Sequence, residues 1–302
     1  MKRLVRITSY FLLLLIVLSA VLFMWASSPQ LTEEDYSTLI SKSDKKNTES
    51  DSIHSIVTYN IGYLSGMTNN KAVEKPKSLF AKNLKDVKRL FSLLNPDIIA
   101  LQEIDYGASR SYKINQQNEL AKLGYSHIAQ AINWDEQYVP FPYWPLSVHF
   151  GEMLSGQSIL SKFPLYDHER IVLERVPDNP FYRDALYLDR LAQVVKTTIN
   201  NKELILINIH LEAFDKATRI NQFHYVLNLF NQYASNYPTI LLGDFNSKAR
   251  DNEAIIQELL KNKEVGNAAF NKDSIANTFS TNDPFKRIDY IFYTKKSIDY
   301  ID

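Results

Sequence analysis

Along this chain one long uncharged apolar run comes first, and shorter apolar runs then alternate with stretches whose apolar residues recur at helical spacing. The long run extends from Ile7 to Ala26 and is preceded by Lys2, Arg3 and Arg6. It matches roughly one bilayer thickness of helix, with its positive charges on the side expected to stay in the cytoplasm. A cleaved signal peptide would have a shorter apolar core, and Pro29 directly after Ala26-Ser27-Ser28 disfavours cleavage there. Residues 1–26 are therefore expected to be an uncleaved signal anchor, with the rest of the chain held outside the cytoplasm. Secretion after cleavage is the alternative.

Residues 27–52, SSPQLTEEDYSTLISKSDKKNTESDS, are polar with little periodicity, and a linker is expected there. Residues 53–302 contain no Gly/Pro/Ser-rich break and no repeat, which predicts one domain. Within it, 54–62, 97–103, 158–163, 191–199, 203–211, 239–246 and 287–293 read as strands. The stretches 77–94 and 218–234 read as amphipathic helices; the first places Leu79, Phe80, Leu84, Val87, Leu90, Phe91 and Leu94 at helical spacing. Because the strands are almost continuously apolar, both of their faces are expected to be covered, which predicts an α/β layered fold.

Composition removes some chemistries. There is no cysteine, which excludes disulfides, thiolate metal sites and a cysteine nucleophile. The 34 basic and 34 acidic side chains cancel, unlike the basic excess of a general nucleic-acid binder. Lys71, Lys75, Lys77, Lys82, Lys85, Lys88 and Arg89 do crowd one stretch, where a solvated helix face is expected.

Four predicted strands end on side chains able to bind metal or phosphate: Asn60 after IVTY, Glu103 after DIIALQ, His210 after ELILINI, and Asp244 with Asn246 after TILLG. Each alone is explained as a turn residue, a solvated acid or a core histidine. Together they mark the strand ends where α/β sheets bind ligands. Glu and Asn offer hard oxygen ligands suited to Mg²⁺ or Mn²⁺. Asp244 could orient or deprotonate a water, Asn246 could help hold it, and His210 could donate a hydrogen bond to phosphoryl oxygens.

The segments VTYNIG, PDIIALQE, GQSILSKFP, INIHLE, ILLGDFN and RIDYIFY, in this order over about residues 54–293, resemble the endonuclease/exonuclease/phosphatase superfamily, the metal-dependent phosphoesterases similar to deoxyribonuclease I. The resemblance implies a four-layered α-β-β-α sandwich of two packed mixed sheets, preceded here by the transmembrane helix. It implies that Asn60 lies at the metal and phosphate site and that Glu103 is a metal ligand. His210 would contact the scissile phosphate, Asp244 and Asn246 would align the attacking water, and Asp289 would fix the ring of a second histidine. The pattern closes with Ser-Asp-His and a last strand, and nothing after Tyr293 matches it. On that reading the sandwich lacks its final strand and has an exposed edge. His127, His149, His168 and His224 lie outside the motifs and are expected to be structural or exposed.

Divalent-metal-dependent hydrolysis of a phosphoester at an extracytoplasmic membrane surface is the function expected. The substrate classes left open are a lipid head group, nucleic acid or a small phosphate ester, and no feature calls for an obligate protein partner. The alternative is a non-catalytic member that binds metal, phosphate or a partner without turnover. The segment 133–150, NWDEQYVPFPYWPLSVHF, is too apolar for an ordinary loop and is expected to cover the site mouth, stack on substrate, meet lipid or cap a sheet edge.

Overall fold

The computed structural model describes residues 1–42, 53–252, 254–271 and 274–301. Helix α1 spans Lys2–Ala26 and is followed by strand β1, Ser37–Ser41. The domain continues with β2 (Ile56–Asn60), α2 (Lys77–Leu94), β3 (Ile98–Asp105), α3 (Gln116–Ala121), β4 (His127–Val139), β5 (Gly151–Ser161) and β6 (Leu165–Val172). Then come α4 (Phe181–Asp184), β7 (Leu191–Ile199), β8 (Lys202–His210), α5 (Lys216–Ala234) and β9 (Thr239–Asp244). The last elements are α6 (Gln257–Lys261), β10 (Val265–Asn267), a small ribbon of β11 (Phe270–Asn271) and β12 (Ser274–Ile275), and β13 (Asp289–Thr294).

Two mixed sheets result, ordered β1-β4-β5-β3-β2 and β10-β13-β9-β8-β7-β6. Alternation along the strands explains why they stack. In β3, Ile99 and Leu101 pack outward with Phe80, Val87 and Phe91 of α2, while Ile98 and Ala100 face inward. In β8, Ile205, Ile207 and Ile209 meet Phe223, Val226 and Phe230 of α5, while Leu204 and Leu206 join the inward-facing core. Helices therefore cover both outer faces, and the expected four-layered sandwich forms. The amphipathic helices have clear ends. Asn95, in the left-handed conformation, closes α2, and the Asp215 carboxylate accepts from Thr218 N at 2.7 Å at the start of α5.

Toward the site the inward-facing core becomes polar. Gln102 Nε2 donates to Asn208 Oδ1 at 2.6 Å, Asn208 Nδ2 donates to Gln193 Oε1 at 3.1 Å, and Gln157 Nε2 donates to the Asn208 carbonyl at 3.0 Å. These amides join the two sheets by hydrogen bonds that fix their relative position, which an apolar seam would leave freer to slide.

Part of the stretch expected to be a tether is instead built into the domain. Residues 37–41 form β1 and pair antiparallel with 127–131 of β4. Just before them, the amides of Gln30 and Leu31 donate to the buried Asp135 carboxylate at 3.0 and 2.8 Å. The polarity that suggests a linker comes from side chains, whereas this segment docks through its backbone. Residues 43–52 of the expected linker lie outside the described residues. The expected loop at 133–150 is also shorter than its apolar run: residues 133–139 continue β4, because Trp134 and Val139 pack with Phe150 and Met153. Nor is β13 an edge strand, since β10 pairs with its outer side. In the first sheet the strand at that end of the order is β2.

Candidate active site

The parallel pairs β2–β3 and β8–β9 bring their C-terminal ends together where the two sheets meet. Asn60, at the end of β2, joins the sheets: its Nδ2 donates to Glu103 Oε1 at 3.2 Å and to Asp244 Oδ2 at 3.0 Å. His210 Nε2 lies 3.7 Å from that same Glu103 oxygen and 3.8 Å from that same Asp244 oxygen. Four side chains singled out from four separate strands thus converge within a few ångströms.

Local backbone aims two of the expected residues. Glu103 sits at φ 52° where the pairing of β3 with β5 shifts register between Leu101 and Ile104, a bulge that turns its carboxylate into the cleft. Asn246, at φ 49°, closes the turn after β9; its backbone N–H donates to Asp244 Oδ1 at 2.9 Å and its Nδ2 donates to the Leu211 carbonyl at 2.9 Å. Asp289 begins β13 directly opposite Asp244 in the ladder. Its carboxylate accepts from the Thr278 hydroxyl, and among the described residues no histidine hydrogen-bonds to it. All six residues line one cleft of about 890 Å³. The four histidines outside the motifs are not among its lining residues. His127 and His168 are held by Ser41 and by Ser37 with Gln193, His149 by Tyr138, and His224 lies exposed beside Glu258.

The electrostatics are set by burial. Glu103 and Asp244 are held above their usual carboxylate range, first by desolvation. Asp289 is also raised, by desolvation and then by the charge of Asp244. His210 is pushed well below the usual imidazole range by burial and by the Arg190 guanidinium. Arg190 Nη1 donates to His210 Nε2 at 2.7 Å, so the neutral ring carries its proton on Nδ1. Arg190, only 7% exposed, is in turn paired with Glu212, 3% exposed, at 3.3 Å.

Sequence reasoning did not find Arg190. Its signal was an arginine immediately before the buried run LAQVV, which is paired with the strand carrying INIHLE. Arg110 was missed as well: its guanidinium lies 3.4 Å from the Tyr63 ring centroid and is held by Asp105 at 2.8 Å. Nothing in the RSYK context distinguishes it from a surface residue.

The donor set suits a hard divalent cation. Three carboxylates with raised pKa values, Asp244 buried and Glu103 and Asp289 half-buried, crowd one cleft, and Asp289 Oδ1 has no hydrogen-bond partner among the described residues. Among those residues no three His, Asp or Glu side chains stand at the spacing of a ready cage. That is compatible with Mg²⁺, which takes one or two carboxylates and completes its shell with water and phosphate oxygens.

Residues 57–299 match the family model described as the Endonuclease/Exonuclease/phosphatase family. Among solved structures, the chain is similar to an endonuclease/exonuclease/phosphatase from Beutenbergia cavernae at 19% identity and a TM-score of 0.57, covering 80% of this chain and 64% of that one. It is also similar to truncated Caenorhabditis elegans TDP2, at 18% identity and a TM-score of 0.52, over 80% of this chain and 83% of that one. A mannosyl-6-phosphatase from Bacteroides thetaiotaomicron matches at 16% identity and a TM-score of 0.53, over 80% and 86% of the two chains. At these identities the likeness is one of fold. No curated protein matches the chain in sequence.

Proposed function

The chain belongs to the endonuclease/exonuclease/phosphatase family, and on that premise we propose that it is a divalent-metal-dependent phosphoesterase, anchored by α1 with its domain outside the cytoplasm. The observation that carries this reading is the convergence of Asn60, Glu103, His210 and Asp244 from both sheets on one cleft. The mannosyl-6-phosphatase, named for a phosphatase activity, and TDP2, which has also been solved from D. rerio with a single-strand DNA product, share this fold.

In this reading the chain's own groups position and stabilise. Asp244, fixed through one oxygen by the Asn246 amide, keeps the other turned toward Asn60 and His210. There it orients a water for in-line attack and takes up its proton, a role its raised pKa favours. Arg190 holds His210 neutral and in one orientation, and places a positive charge behind the Glu103 and Asp244 carboxylates. With Nε2 of His210 accepting from Arg190, it is the fixed positive field of the guanidinium behind that ring, and not a proton on Nε2, that meets charge building on the phosphoryl oxygens. Asn246 supports the turn that presents Asp244, and Asp289, opposite Asp244, adds a carboxylate at the same mouth. Glu103 with Asn60 would hold Mg²⁺ or Mn²⁺, which supplies Lewis-acid polarisation of the phosphoryl group when bound.

The test is hydrolysis of an aryl phosphodiester and an aryl phosphomonoester by the full chain. Turnover of at least one is expected with Mg²⁺ and not with EDTA, and His210→Ala should lower it by about 10²–10³. Turnover unaffected by EDTA removes the metal-dependent reading. Metal binding with no turnover on either ester supports the non-catalytic alternative. Carbonate extraction of native membranes tests the anchor: retention in the pellet is expected, and release defeats it.

A further inference from the structure

α1 is the one helix among the described residues long and apolar enough to cross a membrane; no residue of its most apolar 18-residue window is buried in the protein, whereas Ala26 at its end is. Its C-terminal turns nevertheless touch the domain. Phe23 meets Phe181 edge-on at 5.8 Å, Trp25 stacks on Tyr138 at 6.2 Å, and the Ser28 carbonyl accepts from Gln137 N at 3.1 Å. No free tether therefore separates this end of the helix from the sandwich.

Both contacts lead directly into exposed aromatic surface. Phe181 and Tyr182 of α4 are 76% and 53% exposed. On the other side Tyr138 hydrogen-bonds His149 Nδ1 at 2.8 Å, and His149 Nε2 lies 3.2 Å from the Tyr143 carbonyl. That bracket holds the loop between β4 and β5, which shows Tyr143, Trp144 and Leu146 at 68%, 75% and 66% exposure. Five large side chains in water, flanking the end of an apolar helix, form the aromatic apron found where proteins meet a lipid interface. An apolar surface of this kind is unfavourable in water and marks an interaction site.

We infer that Tyr143, Trp144, Leu146, Phe181 and Tyr182 dock the domain onto the outer surface of the same bilayer that α1 crosses. The inference rests on the anchored reading of α1 and adds an orientation to it. The cleft lies at the apron's end of the first sheet: Asp105, two residues past Glu103, pairs with Ser155, which pairs with Trp134 on its other side, where β4 runs on toward the loop. Docking through the apron turns that end of the sandwich, and with it the cleft, toward the lipid head groups.

The absence of cysteine makes the test clean. The full chain is reconstituted into phosphatidylcholine vesicles as Trp144→Cys, as Tyr182→Cys, and as the control Asn236→Cys, each carrying one environment-sensitive fluorophore. Asn236 is exposed just before β9, at the end of that strand remote from Asp244. Labels at 144 and 182 should be blue-shifted, protected from iodide and quenched by lipids brominated in the acyl chains, whereas the label at 236 shows none of these. Labels at 144 and 182 that behave like the control in carbonate-resistant protein overturn docking and leave the anchor standing. Protection from iodide without quenching by brominated lipid marks a second copy of the chain on the patch and also overturns the inference. Release of the chain by carbonate overturns the anchor and the docked arrangement with it.

Discussion

Single residues in this protein are held where their neighbours leave them no alternative. Arg190 and Glu212 are both buried, so removing Arg190 leaves the Glu212 charge without its ion-pair partner, with the backbone N–H of Phe214 still donating to its other oxygen. Arg190→Ala is expected to destabilise the fold by about 3–5 kcal/mol, as breaking a buried pair does, and also to slow turnover because His210 loses its partner. Denaturant titration beside kinetics at a temperature where the variant is folded separates the two effects. Gly243, in the GDFN motif, is constrained by the backbone. At φ +134° an added Cβ would lie 2.1 Å from the Ile209 carbonyl oxygen. Gly243→Ala should cost on the order of 3 kcal/mol or more, since strand β8 cannot move away without breaking its ladder. A midpoint unchanged in urea would show that the close approach is not needed.

At the scale of elements, β1 is the piece whose attachment depends on pH. It joins the first sheet through β4, and Ser37 also contacts His168 Nδ1 at 3.2 Å, while Gln193 of β7 lies 3.0 Å from Nε2. Burial pushes His168 down to about 4. The unfolded chain takes up a proton near pH 6.5 and the folded one does not, so this stability is fully present above pH 6.5. It is lost as the pH falls toward 4, by up to ~3 kcal/mol. Amide exchange in 37–41 should accelerate over that window, and His168→Gln should flatten the dependence. The short α3, α4 and α6 carry too few turns to show a period, whereas the three long helices and seven of the strands are legible in the sequence: α2 occupies the expected residues 77–94, and β7 the expected 191–199. β4 is not, since HIAQAINWDEQYV alternates weakly and its apolar end merges with the loop that follows. β1 was hidden by a polar composition that says nothing about backbone pairing.

For the whole molecule, the cleft is a junction between two sheets, so a ligand bound there should stabilise the entire sandwich. Three carboxylates with raised pKa values oppose one another in the absence of a cation. Saturating Mg²⁺ is expected to raise stability by about 2.7 kcal/mol at a hundred times its dissociation constant. Thermal unfolding with and without EDTA measures this, and Glu103→Gln should remove most of the shift. A melting curve indifferent to Mg²⁺ would count against a cation site in the cleft.

Sequence alone determined the family resemblance, the layered α/β class, the apolar N-terminal helix and the six side chains now found lining one cleft. These are properties of order and type: a motif needs only the right residue after the right strand, and a periodic run needs only its neighbours. Tertiary structure decided what depends on distance between segments far apart in the chain. It placed Asn60 against Asp244 across the sheets, set Arg190 behind His210, gave Asp289 a threonine as its hydrogen-bond partner, and seated the end of α1 beside an exposed aromatic apron. Such contacts arise when two sheets pack and their strand ends meet, and linear spacing carries no record of which loop will face which.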